Sequence, residues 1–271
     1  MVTKGGKQMD NRSDILRNIK LFVLDMDGTF YISNEIINGS LDFLKRVRDV
    51  GKEYLFFTNN SSKTSDDYIK KLAGMNCQIT EKEIMTSGDV TIEYLRHNYR
   101  GKRVYLMGTR TLQKSFRDAG ICLAEDEPDV VVAAFDTELT YEKLTKTCDF
   151  VRNGAVFLAT HLDINCPVSG GFIPDCGSMC AAITLSTGVK PKYLGKPYRE
   201  TLDMILARTG YKKEQVAFIG DRIYTDVATG VNNGAAGLLV LTGECQMKDV
   251  EKSDVKPTAI FESLGEMCEF L

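Results

Sequence analysis

The chain has no tryptophan and only two histidines, His97 and His161, in 271 residues. With so few imidazoles and no Cys-x-x-Cys pair, no zinc-type ligand set can be assembled. No apolar run approaches the roughly 18 residues that a bilayer-spanning helix needs, so no membrane partner is expected. The polar opening, Met1 to Asn11, lacks the apolar central region of a secretory signal. It reads as a disordered leader, and Met9 offers a second start. A large charge of one sign is missing as well: 34 basic against 37 acidic side chains leave a net −3. The pairs Lys70-Lys71 and Lys212-Lys213 stand alone, as solvated helix faces do, so nucleic acid is not an expected partner.

Cysteine is not scarce. Cys77, Cys122, Cys148, Cys166, Cys176, Cys180, Cys245 and Cys268 are scattered along the chain. Without an export signal, the pattern predicts reduced thiols acting as small hydrophobes in a cytoplasmic protein. The length favours two domains or one large one.

The apolar run Leu21-Phe22-Val23-Leu24 leads directly into Asp25-Met26-Asp27-Gly28-Thr29. A short unbroken run without alternation predicts a strand buried on both faces, as in a parallel α/β sheet. Similar runs at Tyr54–Phe57, Ile84–Thr86, Val104–Met107, Val130–Ala134, Val156–Ala159, Val216–Ile219 and Leu238–Leu241 alternate with helical patterns. The rhythm predicts an α/β fold, a Rossmann-like doubly wound parallel sheet interrupted by a second α/β unit. Only 33 positions separate Asp25 from Thr58, whereas 138 separate Thr58 from Lys196, which places the insert between them. The expected division is residues 1–86 (1–17 leader) and 189–271 for the core, with 87–188 inserted.

Four motifs occur in order: Asp25-x-Asp27-Gly28-Thr29, Thr58-Asn59-Asn60, Gly195-Lys196-Pro197, and Gly220-Asp221 with Thr225-Asp226. Three follow strand-like runs, and Lys196 precedes a helix. A parallel sheet gathers its carboxyl strand ends at one edge, where ligands bind. With its neighbours, this set resembles the haloacid-dehalogenase-like phosphohydrolases, in particular the NagD-type and para-nitrophenyl phosphatase branch, over about residues 18 to 262.

That resemblance implies a Mg²⁺-dependent phosphatase of small phosphomonoesters, with a large α/β cap that often mediates dimers. Asp25 is the expected nucleophile, forming an aspartyl-phosphate. Asp27 is the expected general acid and base, its pKa raised by partial burial. Asp25, Asp221 and the backbone carbonyl of Asp27 are the expected metal ligands. Thr58 and the amides after it are to bind phosphoryl oxygens, and Lys196 to offset their charge. By resemblance, Asn59 and Asn60 contact the phosphate or ribose side, and Asp226 orients Lys196 or a metal-bound water. A phosphotransferase or phosphomutase passing on the same intermediate is the alternative, and a silent phosphometabolite-binding protein a second.

In the cap, residues 159–167 and 174–178 are the expected substrate loops. His161 and Asp163 contact substrate there or order the loop. Asp175 stands where many relatives have glycine after proline. Its charge predicts an acidic cap face that disfavours very anionic leaving groups and favours sugar-like or cationic ones.

Overall fold

The computed structural model describes residues 11–168 and 170–271. Most of the expected leader lies outside the described residues, but its end is not a leader. Arg12–Asn18 forms helix α1, because Ile15, Leu16 and Ile19 give it an apolar face that packs on the core. Strand β1 (Leu21–Leu24) follows, with Phe22 and Leu24 in one core and Leu21 and Val23 in another. An unbroken apolar run is the sequence consequence of that double burial.

After the turn at Asp25 comes a small flap, β2 (Tyr31–Ile32) against β3 (Glu35–Ile36). Then α2 (Ser40–Asp49), β4 (Glu53–Thr58), α3 (Ser65–Gly74), β5 (Ile84–Thr86) and α4 (Ser87–Asn98) complete the first half of the core. The inserted part runs through β6 (Val104–Met107), α5 (Arg110–Asp118), β7 (Val130–Ala133), α6 (Tyr141–Arg152) and β8 (Val156–Ala159). A hairpin of β9 (Asn165–Val168) and β10 (Gly171–Pro174), then α7 (Cys176–Thr187) and β11 (Lys192–Tyr193), finish it. The chain returns through α8 (Arg199–Thr209), β12 (Val216–Gly220) and a π-helical turn at Ile223–Val227. It ends with α9 (Ala228–Asn233), β13 (Ala236–Val240), α10 (Met247–Lys252), β14 (Ala259–Phe261) and α11 (Leu264–Met267).

The main sheet is parallel, in the order β14-β13-β12-β1-β4-β5. From β1 the chain builds outward to β4 and β5, then returns to build β12, β13 and β14 on the other side. The direction switches between β1 and β12, and the crevice at such a switch point is where ligands enter doubly wound sheets. A second parallel sheet, β11-β8-β7-β6, comes from the insert. It extends to Tyr193, past the expected boundary at 188, because Lys192 and Tyr193 pair with Leu158 and Ala159. At the other boundary, α4 joins an apolar cluster shared by both sheets. Val90 and Leu95 lie there with Val23, Phe57, Val132 and Leu158.

The hairpin at residues 165–174 falls where substrate loops were expected. Its strands are mostly exposed, so no burial pattern marks them in the sequence. Among the described residues, no helix is long and apolar enough to cross a membrane.

Candidate active site

The site forms where the carboxyl ends of both sheets face one cavity of about 340 Å³. Asp25 leaves β1 and is anchored to the next strand by its N–H, which donates to Ile219 O at 2.8 Å. Asp221 and Asp226 follow β12, and Lys196 arrives from the loop before α8. Lys196 is 3% exposed, and its ammonium donates to Asp25 Oδ1 at 2.6 Å and to Asp226 Oδ1 at 2.5 Å. Asp226 thus shares the Lys196 ammonium with Asp25, and it sits inside the π-helical turn.

Asp25, Asp221 and Asp226 place oxygens within 4.8 Å of one another. Two glycines permit that crowding. At Gly28, where φ is +84°, a Cβ would stand 2.5 Å from Asp221 Oδ2; at Gly243 it would stand 2.1 Å away. Thr29 Oγ1 donates to Asp221 Oδ1 at 3.3 Å, and the Glu244 N–H donates to Oδ2 at 2.7 Å.

Burial dominates the electrostatics. It pushes the Asp25 carboxyl up to about 7; Lys196 opposes this, while Asp226 and Asp221 add to it. Asp221 is likewise raised by burial and then by Asp226. Burial works against the Lys196 ammonium, yet Asp226 and Asp25 together hold its pKa above the ordinary lysine value. The cluster thus carries three carboxylates against one closely bound ammonium. Hard oxygen donors, buried and short of positive charge, are the donor set a small divalent cation requires. The residues present fit such an ion through Asp25, Asp221 and Asp226.

Asp27 differs from expectation. Its side chain is exposed rather than partly buried, because the turn to Gly28 aims it into the cavity mouth. Thr58 ends β4, and its Oγ1 accepts from the Asn60 N–H at 3.2 Å. Asn59 is 6% exposed, and its amide is spent on protein partners. Oδ1 accepts from the Lys196 N–H at 2.8 Å, while Nδ2 donates to Lys196 O at 3.1 Å and to Asp163 at 3.2 Å. Both amide hydrogens and one lone pair of the oxygen are thus engaged within the protein, while the residue itself lines the cavity. Asn60 Oδ1 accepts from Ser62 N–H and Oγ at 3.0 and 2.7 Å, leaving its Nδ2 toward Cys166 in the cavity.

On the cap side, His161 is fully buried between two carboxylates. Asp163 Oδ2 lies 3.3 Å from Nδ1, and Asp175 Oδ1 lies 3.5 Å from Nε2. Burial disfavours the imidazolium, but Cys176 and the two carboxylates raise its pKa to about 9. At these distances the attraction is mainly charge, and because the acids face opposite nitrogens the trio is an imidazolium bridge. Asp175 also caps α7, accepting from the Cys176 N–H at 2.6 Å. One imidazolium offsets only one of the two cap carboxylates, so the acidic face expected from Asp175 is reduced and not removed. Its charge is committed to His161 and a helix end.

Several site residues carry no local sequence signal. Arg222, Lys63, Lys71 and Tyr31 line the cavity, and Arg222 pairs with Glu244 at 3.0 Å. Arg222 directly follows Gly220-Asp221 in the sequence; Lys71, expected with Lys70 on a solvated helix face, is instead half-buried in the cavity lining, and nothing beside Lys63 in the chain marks it.

A parallel sheet with its switch point filled by one lysine among three aspartates defines a class, and the sequence relationships name it. Residues 22–122 match the haloacid dehalogenase-like hydrolase family, and residues 193–267 match a second HAD-like hydrolase family. The chain belongs to the haloacid dehalogenase-like hydrolases. It is 34% identical to an acid sugar phosphatase of Staphylococcus aureus over 252 residues, 93% of this chain and 97% of that one. Among solved structures, it resembles a 4-nitrophenylphosphatase of Thermotoga maritima at 44% identity and TM-score 0.90, covering 94% and 98% of the two chains. NagD of E. coli K-12 is similar at 30% identity and TM-score 0.86, covering 92% and 98%.

Proposed function

We infer that the protein is a phosphatase that hydrolyses small phosphomonoesters through an aspartyl-phosphate on Asp25, with Mg²⁺ bound by Asp25, Asp221 and Asp226 and by the Asp27 carbonyl. The observation that carries this reading is the ammonium of Lys196 held between Asp25 and Asp226. It fixes one oxygen of Asp25 and leaves the other for attack. When bound, the cation relieves the repulsion between a carboxylate and a phosphoryl dianion.

Asp25 forms an O–P bond as the bond to the leaving oxygen breaks, and Asp27 gives that oxygen its proton. Asp27 then takes a proton from water as the water attacks phosphorus, which releases phosphate and restores Asp25. In this reading the Thr58 hydroxyl donates to a phosphoryl oxygen, while the Asn60 N–H is already held by Thr58 Oγ1. The second sheet acts as a cap whose loops exclude water and contact the leaving group. Eight free cysteines are consistent with a cytoplasmic location.

Phosphate release from 4-nitrophenyl phosphate and from sugar phosphates, with Mg²⁺ and with excess EDTA, tests the reading. Release should require the metal and vanish in Asp25→Asn with the fold intact. Wild-type turnover by that variant would sink the covalent route.

A further inference from the structure

The lysine at the centre of the site comes from a segment without regular structure, between β11 and α8. No helix or strand of its own fixes its backbone, so other contacts do. Two come from the inserted sheet: the Leu194 and Gly195 N–H groups donate to Ala159 O and Thr160 O at 3.0 and 2.7 Å. The third is Asn59. Its amide meets both backbone polar groups of Lys196, accepting from the N–H at 2.8 Å and donating to the carbonyl at 3.1 Å. Gly195 permits that approach, since a Cβ there would stand 2.7 Å from Asn59 Oδ1.

A side-chain amide is nearly symmetric in shape, so its direction is decided by its neighbours. Asp163 is the neighbour outside the lysine loop. Ionised, its carboxylate can only accept, and its two oxygens stand 3.3 and 3.2 Å from Asn59 Nδ2. Asp163 is itself held at both ends. Its carbonyl accepts from the Gly177 N–H at 2.8 Å, and its carboxylate faces the buried His161 Nδ1 at 3.3 Å. This anchor belongs to the cap, 104 positions from Asn59 in the chain, and stands on the cavity wall in a loop expected to touch substrate.

We propose that Asp163 is a positioning residue for Lys196: through Asn59 it holds the lysine backbone, and thereby the ammonium that binds Asp25. This rests on the phosphatase reading above. Asp163 then serves the phosphoryl half of the site, which every ester shares, and not the leaving group. A misplacement of about 1 Å in such a group costs up to about 10²-fold in rate, so the contribution lies in kcat.

The test measures kcat, KM and the single-turnover phosphorylation rate on 4-nitrophenyl phosphate and on the sugar phosphate that the wild type hydrolyses fastest. Asp163→Ala should lower kcat and the phosphorylation rate by about 10–100-fold on both esters, with KM moving by less than about threefold. Asp163→Asn, whose amide oxygen still accepts from Asn59, should recover most of that loss. The isosteric Asn59→Asp keeps an acceptor for the Lys196 N–H but sets a carboxylate against Asp163, and it should lose at least as much as Asp163→Ala. Adding Asp163→Asn to it places a donor opposite the new carboxylate and should raise kcat. One substitution is then nearly neutral in one background and favourable in the other, the signature of a direct coupling. Circular dichroism and a melting curve check that each variant is folded. A loss confined to KM, or to one ester, makes Asp163 a substrate contact and overturns the proposal. Equal effects of Asp163→Asn in the two backgrounds overturn it as well, and that comparison stands on isosteric variants even where Asp163→Ala does not fold. Wild-type protein that releases phosphate from neither ester refutes the phosphatase reading itself, and this inference with it.

Discussion

Cation binding and proton release should be one event in this site. With oxygens of Asp25, Asp221 and Asp226 within 4.8 Å of one another, the metal-free cluster should hold a proton below about pH 7 and carry three carboxylates above it. Burial raises Asp25 from an ordinary 3.8 to about 7 even with Lys196 bound to it. A divalent cation needs that oxygen free, so binding below pH 7 must expel the proton. Apparent Mg²⁺ affinity should therefore fall about tenfold per pH unit below 7 and level off above it. Titration calorimetry of Mg²⁺ into EDTA-stripped protein, in two buffers of different ionisation enthalpy, counts the protons directly. About one should leave at pH 6 and almost none at pH 8. In Asp25→Asn most of the dependence should go. Binding without proton release at pH 6, or a slope that survives Asp25→Asn, would refute the reasoning.

The same shift fixes the sign of a stability effect. Between about pH 4 and 7 the metal-free folded protein should hold a proton on Asp25 that the unfolded chain has already lost. Its stability should then fall as pH rises from about 4 through 7, with the full penalty present above 7. Mg²⁺ at about 100 times its Kd restores roughly 2.7 kcal/mol. For a chain of this size that is about 5–10 °C in Tm. The increment should be larger at pH 8 than at pH 5.5, and scanning calorimetry with and without Mg²⁺ at both values reads it.

Two substitutions separate chemistry from scaffold. Asp27→Asn should slow single-turnover phosphorylation from alkyl esters by about 10²–10⁴, with a smaller loss for 4-nitrophenyl phosphate, whose leaving group needs little protonation; equal losses would remove Asp27 as the acid. Asp175→Ala should lower stability by about 0.5–2 kcal/mol by removing the cap of α7, read as a urea midpoint. Because that residue is turned to His161 and the helix end, all substrates should shift together, and a selectivity change at unchanged stability would restore it as a substrate contact.

The strands that were legible in the sequence are those buried on both faces. Val130–Ala133 and Val216–Gly220 have no exposed position, so burial alone dictates unbroken apolar runs. The β9–β10 hairpin has the opposite character: Phe172 is 74% exposed, and the strand Gly171–Pro174 buries nothing. It is fixed by cross-strand pairing and by Asp175 N–H donating to Ile164 O at 2.9 Å, neither of which leaves a periodicity. The π-helical turn at Ile223–Val227 is equally silent. It follows from bringing Asp226 back to Lys196, a partner 30 positions earlier.

Within the site the same distinction holds. The meeting of Asp25, Lys196, Asp221 and Asp226 follows from a topological rule about strand ends, which the order of motifs along the chain expresses. Roles fixed by a distant partner were hidden. Asn59 has the look of a substrate contact until Asp163, 104 residues on, and the backbone of Lys196 take up its amide. Asp175 reads as an added negative charge only while His161, fourteen positions before it, is treated as a separate residue. Once the two face each other at 3.5 Å, with Asp163 on the other nitrogen, one imidazolium is shared by two acids and the cap keeps part of its negative charge. A cavity's preference for charge is set by the groups left unpaired after such internal matches, and these can be counted only when every neighbour is in place.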